Sequence, residues 1–363
     1  MKKIIAIAVS LLVVATAVAA PKNTKMKYVD ASTLTIINKV HNAGKPLARL
    51  DVERYKLTKS AINAFSQSTG LAVVFRTNSK NISAHWVTDA RYMGTNSSAT
   101  FQRGLDIFIR HNGEWVFAGV GRPKSNPRVG EHEFTLVRRM DEGEKECMVY
   151  LPMFSRVESL SIGVDKDATI EALPSPFKHK IVFVGSSITH GASAGRPGAS
   201  YVAALGRALN AETPNLGHSG QCKLQQHFVD IVCDTEADAF VFDTFSNSTD
   251  KIIDARLYDF VKDIRAKHKD TPLIFLQTIK RDIGFFDLGA RKRNDDQRAA
   301  AERGMAKVMA DFKGVYFLNP GLILGDDHAG TIDGTHLNDL GVYRTVQYLT
   351  PKIKKILKKH GIK

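Results

Sequence analysis

Cysteine is scarce in this chain: Cys147, Cys222 and Cys233 are the only three in 363 residues. A small, odd number excludes a disulfide-built fold and leaves at least one thiol unpaired. Cys222 precedes and Cys233 lies within residues 223–234, where Leu224, Phe228, Ile231 and Val232 have helical spacing. Eleven helical steps separate Cα atoms by about 16 Å, and a disulfide needs about 4.4–6.8 Å, so this pair is not expected to bridge. The zinc signatures His-Glu-x-x-His and Cys-x-x-Cys are also missing, which argues against metal catalysis. After residue 19 no apolar run is long enough to cross a bilayer. There is no nucleic-acid motif, internal repeat or low-complexity tract.

What is present is globular: 43% hydrophobic and 24% charged residues, in a length that suggests two domains. The net charge is +14, of which Lys2 and Lys3 supply two. The remaining basic residues are dispersed, apart from the tail at Lys352–Lys363. They fit solubility and a bias towards anionic polymers rather than nucleic acid. Met1-Lys2-Lys3 followed by the apolar run Ile4–Ala19 is the pattern of an export signal, with Ala17-Val18-Ala19 as its small-x-small end. Cleavage is expected after Ala19, and no Cys follows to carry a lipid anchor. The expected location is periplasmic or extracellular, without stable membrane insertion.

Two periodicities divide the rest. Between residues 70 and 170, short alternating segments predict strands. Ile82, Ala84 and Trp86 share one face, as do Leu105, Ile107 and Ile109. Asn112-Gly113 is a two-residue hairpin turn leading into Trp115–Phe117. Further strands are expected at Phe134–Arg138, Cys147–Leu151 and Leu160–Val164, giving a β-sandwich. Residues 171–177 are a Pro-bearing linker. Beyond it, strands at Ile181–Val184, Ala239–Asp243, Leu273–Gln277 and Val315–Leu318 alternate with helices at Tyr201–Leu209, Ile252–His268, Asp295–Phe312 and Asp339–Lys359. That order predicts a parallel sheet covered on both faces, with its ligand site at the carboxyl ends of the strands. The expected organisation is a leader at 1–19, a β-sandwich domain at 20–175 and an α/β domain at 176–363.

Four segments at those strand ends carry chemistry. Gly185-Ser186-Ser187-Ile188-Thr189 follows the first strand, where a tight turn can lift the Ser187 hydroxyl above the sheet edge. The Gly-x-Ser-x-Gly elbow is absent around both Ser187 and Ser219. Asp333-Gly334-Thr335-His336 precedes the last helix, and a carboxylate three residues ahead of a histidine can curl back onto its imidazole. Gly220, in Asn215-Leu216-Gly217-His218-Ser219-Gly220, allows close backbone approach. Asn247, in Phe242-Asp243-Thr244-Phe245-Ser246-Asn247, offers a side-chain amide. Asp326-Asp327-His328 raises a carboxylate/histidine metal site as a rival.

Taken in order, Ser, Gly, Asn and Asp-x-x-His resemble the four sequence blocks of the SGNH (GDSL-like) hydrolase superfamily over about residues 178–358. Ser186 stands where that family usually has Asp, and Asn247 lacks the usual Gly-x-Asn-Asp surround. Gly104-Leu105-Asp106-Ile107-Phe108 and Tyr150-Leu151-Pro152 are similar to the β-sandwich that precedes some SGNH esterases. The resemblance implies a flavodoxin-like three-layer α/β/α domain behind a jelly-roll-like sandwich. It also implies a serine esterase in which Ser187 attacks, His336 takes its proton and Asp333 orients the imidazole. Ser187, Gly220 and Asn247 would form the oxyanion hole, with no metal and no organic cofactor. The expected substrate is a small-molecule or polysaccharide ester, most simply a carbohydrate O-acetyl group. The alternatives are a lipid acylhydrolase or a non-catalytic glycan-binding protein.

Overall fold

The computed structural model describes residues 25–42, 44–89, 94–126 and 128–362. The expected export leader and its cleavage point lie outside the described residues.

Residues 26–172 build two antiparallel sheets. One has the order β1 (Met26–Asp30), β9 (Val157–Asp165), β4 (Ile82–Thr88), β7 (Glu131–Val137). The other runs β10 (Ile170–Ala172), β3 (Ala72–Thr77), β8 (Lys145–Tyr150), β5 (Leu105–His111), β6 (Glu114–Gly121), and β2 (Thr35–Ile37) also pairs with β3. Their facing side chains interdigitate. Trp86, Ile82 and Ile162 from the first sheet share a fully buried cluster with Val73, Phe75, Ile107 and Val149 from the second. The β5–β6 turn places Asn112 and Gly113 both at positive φ, 50° and 84°, as a two-residue hairpin requires.

β1, β2, β3 and the helix α1 (Lys59–Phe65) were not individually legible from alternation. β3 is buried along nearly its whole length and so lacks a polar face. The Pro-bearing linker is also shorter than expected, because Ile170–Ala172 pairs with β3 before Pro174 and Pro176 end the strand.

From residue 179 the sheet is parallel: β12 (Ala211–Glu212), β11 (His179–Gly185), β14 (Ala239–Asp243), β15 (Leu273–Leu276), β16 (Val315–Leu318), with β13 (Asn215–Gly217) also on β11. Both faces are covered. Val182, Val184, Phe240, Phe242 and Phe275 point to one core, where α5 (Gln226–Cys233), α6 (Asp250–Lys267) and α7 (Leu288–Asp311) pack. Ile181, Phe183, Val241 and Ile274 alternate to the other, under α4 (Tyr201–Leu209) and α8 (Asp339–Lys359). Buried on both sides, these strands read as unbroken apolar runs. α5 is shorter than the 223–234 expected, and α7 begins at Leu288 rather than 295 because Asp287 caps it by accepting from the Ala290 N–H. All three cysteines are free thiols.

Several histidines are sealed inside. Burial, with Arg103 and Lys124 nearby, holds His132 at about 4. Burial, with Arg49 and His227, holds His218 at about 4. Unfolding restores both towards about 6.5, so between those values the unfolded chain binds more protons. Stability therefore falls as pH drops from about 6.5 to about 4, by on the order of 2–3 kcal/mol for each group. A melting series from pH 7 to pH 4.5 is expected to show a steadily falling midpoint, with a shallower slope in His132→Asn. A level midpoint would contradict this assignment.

Candidate active site

β11 ends at Gly185, which is in register with Gly217 of β13 on one side and Asp243 of β14 on the other. Ser187 therefore leaves the sheet between the loop that carries Gly220 and the loop that carries Asn247. A Cβ on Gly185 would stand 2.0 Å from Thr189 Oγ1, so only glycine permits the chain to turn this sharply into α3 (Ser187–His190). Beneath the turn, Thr189 Oγ1 donates to Asp243 Oδ2 at 3.0 Å and meets the Tyr201 hydroxyl at 2.8 Å. This buried network fixes the helix on which Ser187 is the first residue. As the first residue, Ser187 has an N–H with no intrahelical acceptor.

Ser187 Oγ lies 2.9 Å from His336 Nε2. His336 Nδ1 lies 2.8 Å from Asp333 Oδ2. The other carboxylate oxygen accepts the backbone N–H groups of Thr335 at 3.1 Å and His336 at 2.8 Å. Burial pushes the Asp333 carboxyl up, but the His336 N–H, the Asn96 amide and the His336 ring outweigh it and hold the group well below the usual carboxylate range. An ionised Asp333 selects the Nδ1–H tautomer and leaves Nε2 free to accept the Ser187 proton.

Gly220 has φ +74° in a turn closed by Gln221 N–H donating to the His218 carbonyl at 3.0 Å. That conformation favours glycine, and the space where a Cβ would sit is open. The Asn247 amide donates to the Gln221 carbonyl at 2.9 Å, which ties its loop to the Gly220 turn and leaves its second N–H available. Ser186, where the resemblance expects Asp, is fully buried, and among the described residues its hydroxyl has no hydrogen-bonding partner.

Two other serines invite comparison. Ser219 Oγ is 3.2 Å from His190 Nδ1. His190 Nε2 faces the Met153 carbonyl and Thr69 Oγ1, each at 3.0 Å, so among the described residues no carboxylate backs this ring. Burial, with Arg49 adding to it, holds His190 well below its ordinary value. The segment Gly191-Ala192-Ser193-Ala194-Gly195 also has Gly-x-Ser-x-Gly spacing, which inspection around Ser187 and Ser219 alone does not reveal. It follows a helix rather than a strand, however, and the Ser193 hydroxyl is buried with no hydrogen-bonding partner among the described residues. It is therefore not an elbow of the kind that exposes a nucleophile.

The rival metal segment is otherwise engaged: Asp327 takes Arg344 through both oxygens at 2.7 and 2.8 Å, and His328 Nδ1 lies 3.2 Å from Asp282. Among the described residues, no cluster of three or more His, Cys, Asp or Glu side chains is placed to hold a metal ion.

Two residues near the site carry no sign of their contacts in the sequence. Asn96 sits 237 positions before Asp333 and hydrogen-bonds its carboxylate. Asp106, inside the Gly104–Phe108 segment, is fully buried and accepts Arg196 at 2.6 Å and the Gly198 N–H at 2.9 Å, just beyond the nucleophile helix.

The GDSL-like Lipase/Acylhydrolase family profile matches residues 178–354. The GxDLY profile, the N-terminus of SGNH-hydrolase-type esterases, matches residues 26–170. A crystal structure classed as a GDSL-like lipase from Bacteroides ovatus ATCC 8483 is 41% identical, covers 92% of this chain and 98% of its own, and superposes with TM-score 0.88. The salicylyl-acyltransferase SsfX3 from a tetracycline biosynthetic pathway is 18% identical over the same shares of the two chains, with TM-score 0.69. A family two carbohydrate esterase from Cellvibrio japonicus is 13% identical over the same shares, with TM-score 0.58. No curated protein sequence matches the chain. The two profiles and the 41% identical structure settle the assignment: this chain belongs to the GDSL-like lipase/acylhydrolase family of SGNH-type ester hydrolases.

Proposed function

We propose that this protein is an exported serine esterase that removes O-acetyl groups from carbohydrates through an acyl-enzyme on Ser187. The line from Ser187 Oγ to His336 Nε2 to Asp333 carries the reading. In it, neutral His336 takes the Ser187 proton as Oγ attacks the ester carbonyl, and the C–O bond forms. The N–H groups of Ser187 and Gly220 and the Asn247 amide receive the negative oxygen. His336 then returns the proton to the leaving alcohol as the ester bond breaks. Water repeats the attack and frees the acid. Throughout, Asp333 keeps the imidazole oriented and stabilises its charged form.

Three observations support a carbohydrate ester. The first residues have the pattern of an export signal. A β-sandwich precedes the hydrolase-like part, and the chain shares its fold with the Cellvibrio japonicus carbohydrate esterase. Ser187 and His336 are also both partly exposed at the carboxyl end of the sheet. One observation favours lipid acyl chains instead. Ile283, Phe285, Phe286, Leu288 and Ile332 are exposed together beside the His336 loop, and Phe286 is 87% exposed. The Ile283 N–H bonds the Gly334 carbonyl, which fixes that patch to the loop.

A nitrophenyl-ester series and acetylated xylan separate the two readings. The expected result is highest kcat/KM on acetate, falling at least about tenfold by octanoate, with acetate released from the polysaccharide. A rate that climbs with chain length would assign the protein to lipids.

A further inference from the structure

The loop Gly94–Ser98 lies between β4 and α2 (Ala99–Arg103), within the antiparallel part of the chain, yet its side chains end on the other part. Asn96 Nδ2 donates to Asp333 Oδ2 at 3.0 Å and stands 3.4 Å from His336 Nδ1. Oδ2 is also the oxygen that faces the imidazole. Because Nδ1 already carries the hydrogen directed at Asp333, the Asn96 amide serves the carboxylate and not the ring. Two residues on, Ser98 Oγ donates to the Gly195 carbonyl at 2.7 Å, and the Gly195 N–H donates to Asp339 at 2.8 Å. Together with the Asp106 contacts to Arg196 and Gly198, these bonds seat the loop on both the nucleophile side and the histidine side of the site.

We propose that Asn96 is a positioning residue, supplied by the N-terminal domain, that holds the Asp333 carboxylate against His336 and shares its negative charge. The inference rests on Ser187, His336 and Asp333 being the reacting set. A carboxylate relieved of one donor concentrates more charge on Oδ2 and holds an imidazolium more firmly. Nε2 then becomes available as a base only at higher pH. The other carboxylates on this rim have partners of their own that the Asn96 substitutions do not touch, Asp282 with Thr331 and His328, and Asp339 with Gly195.

The test is the pH dependence of fluorophosphonate labelling at Ser187 in the full chain, compared across wild type, Asn96→Ala and Asn96→Asp. The midpoint is expected to rise by about half a unit in Asn96→Ala and about one unit in Asn96→Asp. Labelling at pH 6 then falls about threefold and tenfold, while the alkaline plateau stays within about threefold of wild type. A purely structural role would lower the plateau and leave the midpoint in place; unchanged midpoints in both variants overturn the proposal. Asp matches Asn in size, so Asn96→Asp carries the comparison even if the alanine variant misfolds. A wild-type protein that labels elsewhere refutes the underlying assignment of Ser187, which is a different failure from a labelled Ser187 with an unmoved midpoint.

Discussion

Ser187→Ala is expected to lower ester hydrolysis by on the order of 10⁶-fold, with the fold intact. The side chain is partly exposed at a sheet edge and makes one side-chain hydrogen bond, to His336, so its removal opens no cavity. Ser219→Ala is expected to stay within about tenfold of wild type. Both serines have a histidine within hydrogen-bond reach, but the two histidines differ in what lies behind them. His336 has an ionised carboxylate 2.8 Å from its far nitrogen and remains partly open to solvent. His190 has a backbone carbonyl and a threonine hydroxyl there and is sealed from water. Taking a proton from serine creates an imidazolium, and of the two only the first ring has a carboxylate to stabilise one. Steady-state kinetics on nitrophenyl acetate, with circular dichroism as a folding control, distinguish the two serines; substantial activity in Ser187→Ala would reverse the assignment.

Asp333→Asn is expected to reduce kcat by about 10⁴-fold with little change in KM. An amide in place of the carboxylate presents an N–H to Nδ1 and favours the tautomer that carries its hydrogen on Nε2. That tautomer cannot accept the Ser187 proton. The substitution also weakens the acceptor for the Thr335 and His336 backbone N–H groups, but the loop keeps its bonds from Ile283 to Gly334 and from Ile332 to the His336 carbonyl. The loss therefore lies in chemistry rather than in binding. The same assays run with and without a chelator test the metal rival directly. Activity abolished by chelation and restored by a divalent ion would make Asp333 a ligand instead of an orienting group.

The parallel sheet was legible because its strands are buried on both faces and read as uninterrupted apolar runs. Ala239–Asp243, Val315–Leu318, Tyr201–Leu209 and Asp339–Lys359 fall where the pattern places them. Alternation found β4, where Ile82, Ala84 and Trp86 alternate with Ser83 and His85, and β5, where Leu105 and Ile107 flank Asp106. It did not find β3, whose side chains are buried in both directions, or β1 and β2, which are too short to establish a period. The segments with local chemistry, Ser187 and Asp333 to His336, stood out because each pairs a reactive residue with a turn or a near neighbour. Asn96 had no such signal. It lies in a turn of Gly, Thr, Asn and Ser, where asparagine is ordinary, and only the tertiary fold brings it to Asp333. Asp106 was noticed as part of a short segment, but its contact with Arg196 spans 90 positions and leaves no trace in spacing.

The most direct measurement is mass-spectrometric identification of the residue modified by a fluorophosphonate probe. Stoichiometric modification of Ser187, abolished in His336→Ala, is the predicted result. Modification of Ser219 or Ser193, or no modification of an active preparation, would contradict the account.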